Sequence, residues 1–426
     1  MKKTLISTLA ALLFLPGGTQ AGEAGDLLQH HLYEGTAAKG LSAVQSLCNA
    51  GDAEGCFAAG LMTLVEGVEG LTADLYRYGA SNPDLGSAGL LMGMGTEAPA
   101  GPTNPRPEPI TYQALRAVLE DALADLDRAH DLFLQGGERG DYVVMLDPLR
   151  VRLDLDGDGT AAQGETLAAL LGPMEDFANI PSPDAPPSGK VKRPVPPADT
   201  TLGLDRADAL WFAGYTQVFA AQFDMALAHD FESLFEAYFH RVFPDSDLPL
   251  ADHTSGGILF SGPESDAALA DLLAAVHTLN FPVEDNPRLA NVLGRLQSIS
   301  ALSRRNWDAI LAETDDNREM VPSPRQTSLV KSLPVTEETV AAWMATLDTV
   351  DRVLAGELLV PHWRFDQGVD LRAYFETAET TDVVMILTGL GALPFLRDGP
   401  IADAESFAEA NRVFGTQWLT YALWFN

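Results

Sequence analysis

The chain has 426 residues, 46% of them apolar, and a formal net charge of −33. That much apolar material excludes general disorder, and a length beyond about 250–300 residues exceeds what one core serves, so two or three packed units are expected. The acidic excess excludes nucleic acid and anionic lipid as partners, since both are held by clustered Lys and Arg, and it favours cations.

The amino terminus reads as an export signal. Met1-Lys2-Lys3 is a positive start, Leu5 to Leu15 is an apolar run, and Thr19-Gln20-Ala21 offers the small residues of a cleavage site. Removal of residues 1–21 takes Lys2 and Lys3 with it and brings the charge to −35. No cysteine follows the apolar run to accept a lipid. No later segment reaches the roughly 18 to 20 continuous apolar residues of a membrane span. The best candidate, Val383 to Leu396, carries Gly389, Gly391 and Pro394 and is expected to be a buried core helix with a kinked end. A soluble periplasmic or secreted product is expected.

The region 22–94 holds both cysteines, Cys48 and Cys56, within SLCNAGDAEGCFAAGLM. In one continuous helix they would stand about 12 Å apart, too far to bridge. Gly51-Asp52 and Gly55 offer a break that lets two antiparallel helices bring the sulfurs together, and in an exported chain an even pair favours the disulfide. The stretch resembles a cysteine-rich Sel1-like helical repeat over about 35 residues. That resemblance implies contact with another protein, although a single copy must pack on the rest of the chain.

A Pro-rich loop, 95–109, precedes a region 110–180. Its helix over Thr111 to Leu134 places Leu115, Val118, Leu119, Ala122, Leu126 and Ala129 on one face. Alternating strand-like pattern is scarce, Val151-Arg152-Leu153 being the main exception. Then comes LDLDGDGTAAQGE. A hard cation such as calcium takes six to eight oxygens, and a 12-residue loop supplies them from positions 1, 3, 5, 7, 9 and 12. In 154–165 those positions are Asp154, Asp156, Asp158, the Thr160 carbonyl, Ala162 and Glu165. Gly159 falls at position 6, where the turn demands positive φ. Ala162 offers no side-chain oxygen, so water is expected in that direction. The pattern resembles an EF-hand. The segment ahead of the loop departs from that family: Asp147-Pro148 and Val151-Arg152-Leu153 stand where an entering helix would run, Ala161 replaces a branched apolar residue, and no second loop of the type occurs. An unpaired loop points to calcium as a structural staple.

Residues 181–202 form a linker rich in proline from Pro181 to Pro197, and 203–426 a carboxy-terminal helical domain. Helices are expected over Asp205 to His229, Phe231 to Val242, Asp266 to Leu279, Pro287 to Glu313, Glu337 to Leu358, Leu371 to Leu393 and Ala404 to Trp424. The aromatic series Trp211, Phe212, Tyr215, Phe219 and Phe223, then Phe231, Phe235 and Phe239, follows helical spacing and reads as core. The fold expected is all-α, a multi-helix array of antiparallel helices with one EF-hand-like calcium loop. The loop taken with GLDRADALWFAGY and TQWLTYALWFN is similar to exported bacterial proteins carrying a single EF-hand loop, a family that implies architecture and no activity.

Nothing in the sequence assembles a catalytic site. None of the eight histidines, His30, His31, His130, His229, His240, His253, His277 and His362, has HExxH or zinc-site spacing, and neither GxSxG nor GxxxxGK[ST] occurs. His362-Trp363-Arg364-Phe365-Asp366 is the densest polar and aromatic cluster outside the loop. The expected function is that of an exported calcium-binding protein acting through another protein. The alternative is an exported hydrolase with a carboxylate or histidine site in the carboxy-terminal domain, marked by close, desolvated carboxylates in a deep pocket.

Overall fold

The helical pattern becomes a row of long helices. In the computed structural model, which describes residues 22–81, 103–162, 164–167, 199–251, 262–330 and 332–426, the chain opens with α1 (Glu23–Glu34), α2 (Ala37–Asn49) and α3 (Ala53–Arg77). The predicted signal peptide 1–21, the proline-rich stretch Pro181 to Pro197 and most of the loop 95–109 lie outside the described residues.

Helix α4 (Tyr112–Glu138) packs against α3, α5 (Arg206–Leu227) packs against α4, and α8 (Asn286–Ala312) packs against α5. The predicted apolar stripe of α4 explains its place: Leu115, Val118, Ala122, Leu126 and Ala129 are all buried. Thr111 caps its start, accepting from the Ala114 N–H. At the centre, Phe57 of α3 meets Phe133 of α4 at 6.1 Å and Phe212 of α5 at 6.3 Å between ring centroids, with Phe57 and Phe133 fully buried.

The turn between α2 and α3 brings Cys48 and Cys56 together in a disulfide with 4.4 Å between Cα atoms. Gly51, at φ +91°, makes the reversal possible. Helix α3 is long and apolar enough to cross a membrane, yet half of its most apolar window is buried between α2 and α4, as befits a core helix.

The same core continues to the far end of the chain. Trp307 of α8 and Phe425 of the last helix, α13 (Trp418–Phe425), are fully buried with ring centroids 4.6 Å apart. Trp343 of α9 (Glu337–Leu354) stands against Phe425 and donates to Ser303 Oγ at 2.9 Å. A partly buried ionic hub ties three helices together: Arg295 of α8 reaches the buried Asp224 of α5 and the half-exposed Asp127 of α4, each at 2.6 Å.

The molecule is mostly helical, with three short two-stranded antiparallel pairs among the described residues, the first of them, through Val144, Leu146 and Leu204, part of the core. β1 (Val144–Leu146) pairs with β2 (Leu202–Leu204), β3 (Asn280–Pro282) with β5 (Thr380–Asp382), and β4 (Gly368–Val369) with β6 (Leu396–Arg397).

Several local expectations need correction. The helix expected over Leu371 to Leu393 is two, α10 (Leu371–Thr377) and α11 (Val383–Thr388), because residues 380–382 form the partner strand of β3. The buried helix expected over Val383 to Leu396 is instead the short α11 followed by a 3₁₀ turn, with Leu387, Leu390 and Leu393 exposed. The helix over Ala404 to Trp424 breaks at Gly415 into α12 (Ala408–Phe414) and α13. The aromatic series is only partly core, since Phe219 is 48% exposed while Phe235 is buried. The remaining helices, α6 (Glu232–Tyr238) and α7 (Pro263–His277), fall where periodicity puts them.

Candidate metal centre

Alternation builds the loop. Leu153 and Leu155 turn into the core while Asp154 and Asp156, which alternate with them, turn away from it. One oxygen from each of Asp154, Asp156 and Asp158 lies within 4.8 Å of the others. The turn is wound around these carboxylates: Asp154 accepts from the N–H groups of Asp158 at 3.1 Å and Gly159 at 2.8 Å, and Asp156 accepts from Asp158 N–H at 3.1 Å. Gly159 has φ +87°.

Glu165 folds back over the loop without joining that trio, accepting from Leu155 N–H at 3.2 Å and Ala162 N–H at 2.6 Å. Thr160 donates its N–H to Asp158 Oδ1 at 2.8 Å. The entering segment is β1 and a 3₁₀ turn, Pro148–Arg150, rather than a helix. A small clamp closes the base: Leu153 N–H donates to Glu165 O, Leu167 N–H donates to Val151 O, and Arg152 bridges Thr166. Arg152 N–H also donates to Leu32 O, tying the base to α1.

Sequence reasoning missed one carboxylate here. Glu69, half-buried on α3, accepts from Asp154 N–H at 3.0 Å. Burial pushes its carboxyl up, with the charges of Asp154, Glu66 and Glu165 adding to the push against that hydrogen bond. Its only signal was its place in an apolar helix, far along the chain from the loop.

A second acidic group lies at the start of α5, also missed. One oxygen each from Asp205, Glu313 and Glu319 lies within 4.8 Å of the others. Asp205 caps α5, accepting from Ala207 N–H at 2.6 Å, and Asp208 Oδ2 accepts from Asp205 N–H at 2.8 Å. Burial, then the neighbouring Asp205 charge, raises Glu313 to about 8. Burial, partly offset by the Asn317 N–H, raises Glu319 to about 7. Asp205 and Asp208 are raised as well, chiefly by burial.

The His362 cluster is structural in its contacts. His362 Nδ1 accepts from Arg364 N–H at 3.2 Å, so Nε2 carries the proton and donates to Ile386 O at 3.0 Å. Trp363 is 74% exposed and lies under the Arg364 guanidinium. His229 is buried between Met225 O at 2.6 Å and Thr381 Oγ1 at 2.7 Å. His240 meets Asp271 at 3.1 Å, a pairing that spacing did not announce. His253 lies outside the described residues. The chain matches no family model, no curated protein and no solved structure.

Proposed function

We propose that this is an exported calcium-binding protein in which the ion fastens the 151–167 segment to α1 and α3, and which acts through contact with another protein. The ligands in this reading are Asp154, Asp156, Asp158, the Thr160 carbonyl and Glu165, in a loop of EF-hand type. The observation that carries it is the convergence of three aspartate oxygens within 4.8 Å on a turn whose alternate leucines are anchored in the core. Three like charges at that distance repel, and a divalent ion converts the repulsion into attraction.

Protein contact is supported by the exposure of four large apolar side chains, Trp363, Leu387, Leu390 and Leu393, with Trp363 Nε1–H donating to Leu387 O at 2.9 Å. The hydrolase reading draws on Asp205, Asp208, Glu313 and Glu319. Of these only Glu313 lines the neighbouring cavity, while Asp208 and Glu319 are buried. The other carboxylates on that cavity, Asp315 and Asp316, are exposed, so a substrate would not meet a close desolvated pair, and binding is the better supported reading.

The test is thermal unfolding of the metal-stripped chain in chelator and in calcium, with near-ultraviolet circular dichroism. A staple gives a higher midpoint in calcium and an unchanged native spectrum. An unchanged midpoint would remove the calcium reading, and a large spectral change would make the ion a switch.

A further inference from the structure

We infer that Asp205, Glu313 and Glu319 form a proton-operated latch, which holds the start of α5 to the loop after α8 while it carries its protons and lets go when they leave. The two segments meet backbone to backbone. Gly203 N–H donates to Arg318 O at 3.2 Å, Gly203 bridges Glu319, and a Cβ at Gly203 would stand 2.2 Å from Asn317 O. Arg318 is held at φ +68°, a conformation that residues with side chains seldom adopt unless their surroundings impose it.

The carboxyls close over this contact. One oxygen from each of the three lies within 4.8 Å of the others, and the side chains of Asp205 and Glu313 share a hydrogen bond. Two ionised carboxylates offer only acceptors, so that bond exists only with a proton between them. Each carboxyl is also tied to its own segment: Asp205 Oδ1 to Ala207 N–H at 2.6 Å, Glu319 Oε1 to Asn317 N–H at 2.7 Å, and Glu313 Oε2 to Gln326 Nε2 at 2.9 Å. They cannot turn to water without giving up those bonds, so loss of the proton sets like charges against one another in place. Glu313 lines a cavity of about 370 Å³ whose wall includes the exposed Asp315 and Asp316, so its proton has a way to solvent.

The other charges at the junction do not offset the repulsion. Asp208 on α5 and Asp315 and Asp316 on the loop add negative charge. Tyr142, whose hydroxyl donates to Asp205 O at 3.3 Å, is kept neutral by burial and by the charges of Asp205, Asp208 and Glu54, against Arg206. Among the described residues no arginine or lysine forms an ion pair with the three. Arg318 is spent on Thr201 O and Asp199 O, each at 2.6 Å, and Arg325 on Leu311 O. Release would travel, since β2 pairs with β1 and Thr200 Oγ1 donates to Asp147 Oδ1 at 2.7 Å, ahead of the 151–167 segment.

A carboxyl raised on folding stabilises fully below its unfolded pKa and loses that contribution as pH rises through the folded one. For Glu313 the loss runs from 4.5 to about 8. The experiment is urea unfolding of the full chain from pH 5.5 to pH 9, in chelator so that calcium plays no part. From pH 6 to pH 8 the folding constant of the parent should fall about fiftyfold further than that of Glu313→Gln, whose amide holds Asp205 without a proton. Asp205→Asn keeps an Oδ1 acceptor for the Ala207 N–H and should flatten the profile in the same way, so the test does not depend on one variant folding well. Parallel profiles in the parent and both variants would overturn the latch. Amide exchange read by mass spectrometry, corrected for the intrinsic rate at each pH, locates the release: residues 199–205 and 317–320 should lose protection in the parent above pH 8 and keep it in Glu313→Gln. Protection unchanged in the parent, or lost equally in both, would also overturn it.

Discussion

Replacing Asp156 by Asn should shift stability in opposite directions with and without calcium. Asn keeps an Oδ1 acceptor for the Asp158 N–H, so the turn is retained and only the charge is lost. At the 4.8 Å that bounds the trio, two unit charges in water repel by about 0.9 kcal/mol. Asp156 faces two such neighbours, and after screening by salt its neutralisation should raise stability in chelator by about 1 kcal/mol. With calcium the balance changes. If the native loop binds near 10 µM, then 1 mM calcium contributes about 2.7 kcal/mol. A tenfold weaker variant gains only about 1.4 kcal/mol. For 426 residues the unfolding entropy is about 0.9 kcal/mol/K, so the native calcium shift in melting temperature is about 3 °C. Thermal and urea unfolding in EGTA and in 1 mM calcium measure all four states. A variant less stable than the parent in chelator, or one with an equal calcium increment, would refute the reasoning.

Three further outcomes can be checked on the same material. Phe57→Ala opens a void among Phe133, Phe212 and Tyr142 and should cost about 3–5 kcal/mol in urea unfolding; a loss below about 1 kcal/mol would mean that the site collapses freely. Arg295→Met takes the closest cation from Asp224, which is 3% exposed and keeps only the Asn291 amide at 2.8 Å and Arg288 at 3.8 Å, and should cost about 3 kcal/mol, with Asp224→Asn in the same chain recovering much of the loss. His130 is held below its usual range mainly by burial, against hydrogen bonding to Ala213 O. Its neutral form therefore contributes fully above pH 6.5, and that contribution is lost as pH falls from there toward the lowered folded value. His130→Asn should flatten that part of the pH profile of the urea midpoint, and an identical slope in parent and variant would exclude the residue as the cause.

The legible parts of this molecule are those whose cause is local. The stripe from Leu115 to Ala129 announces α4, and the alternation in LDLDGDG announces which side chains leave the core. The acidic centre at Asp205 was invisible because its partners, Glu313 and Glu319, arrive from a loop beyond α8. Only Asp205 carried a local signal, and that signal was a helix cap. The failure over Leu371 to Leu393 has the same origin. An apolar run looks helical until Thr380–Asp382 pairs with Asn280–Pro282, a strand about a hundred residues earlier. The run's apolar length also suggested burial, yet Leu387, Leu390 and Leu393 are exposed.

The wiring of the core has a consequence for the order in which the protein can be built. Phe57 is sealed by Phe133 and Phe212, and the core that encloses Leu28 also contains Phe425, so most burial waits for residues at opposite ends of the sequence to meet. Long-range closure of that kind is slow. The Cys48–Cys56 link spans only eight positions, so an oxidant can close it on a nascent hairpin before any partner of that hairpin exists. The cross-link thus hands the rest of the chain a finished corner on which α4 and α5 later assemble, and its absence should be felt in the rate of folding before it is felt in the folded state.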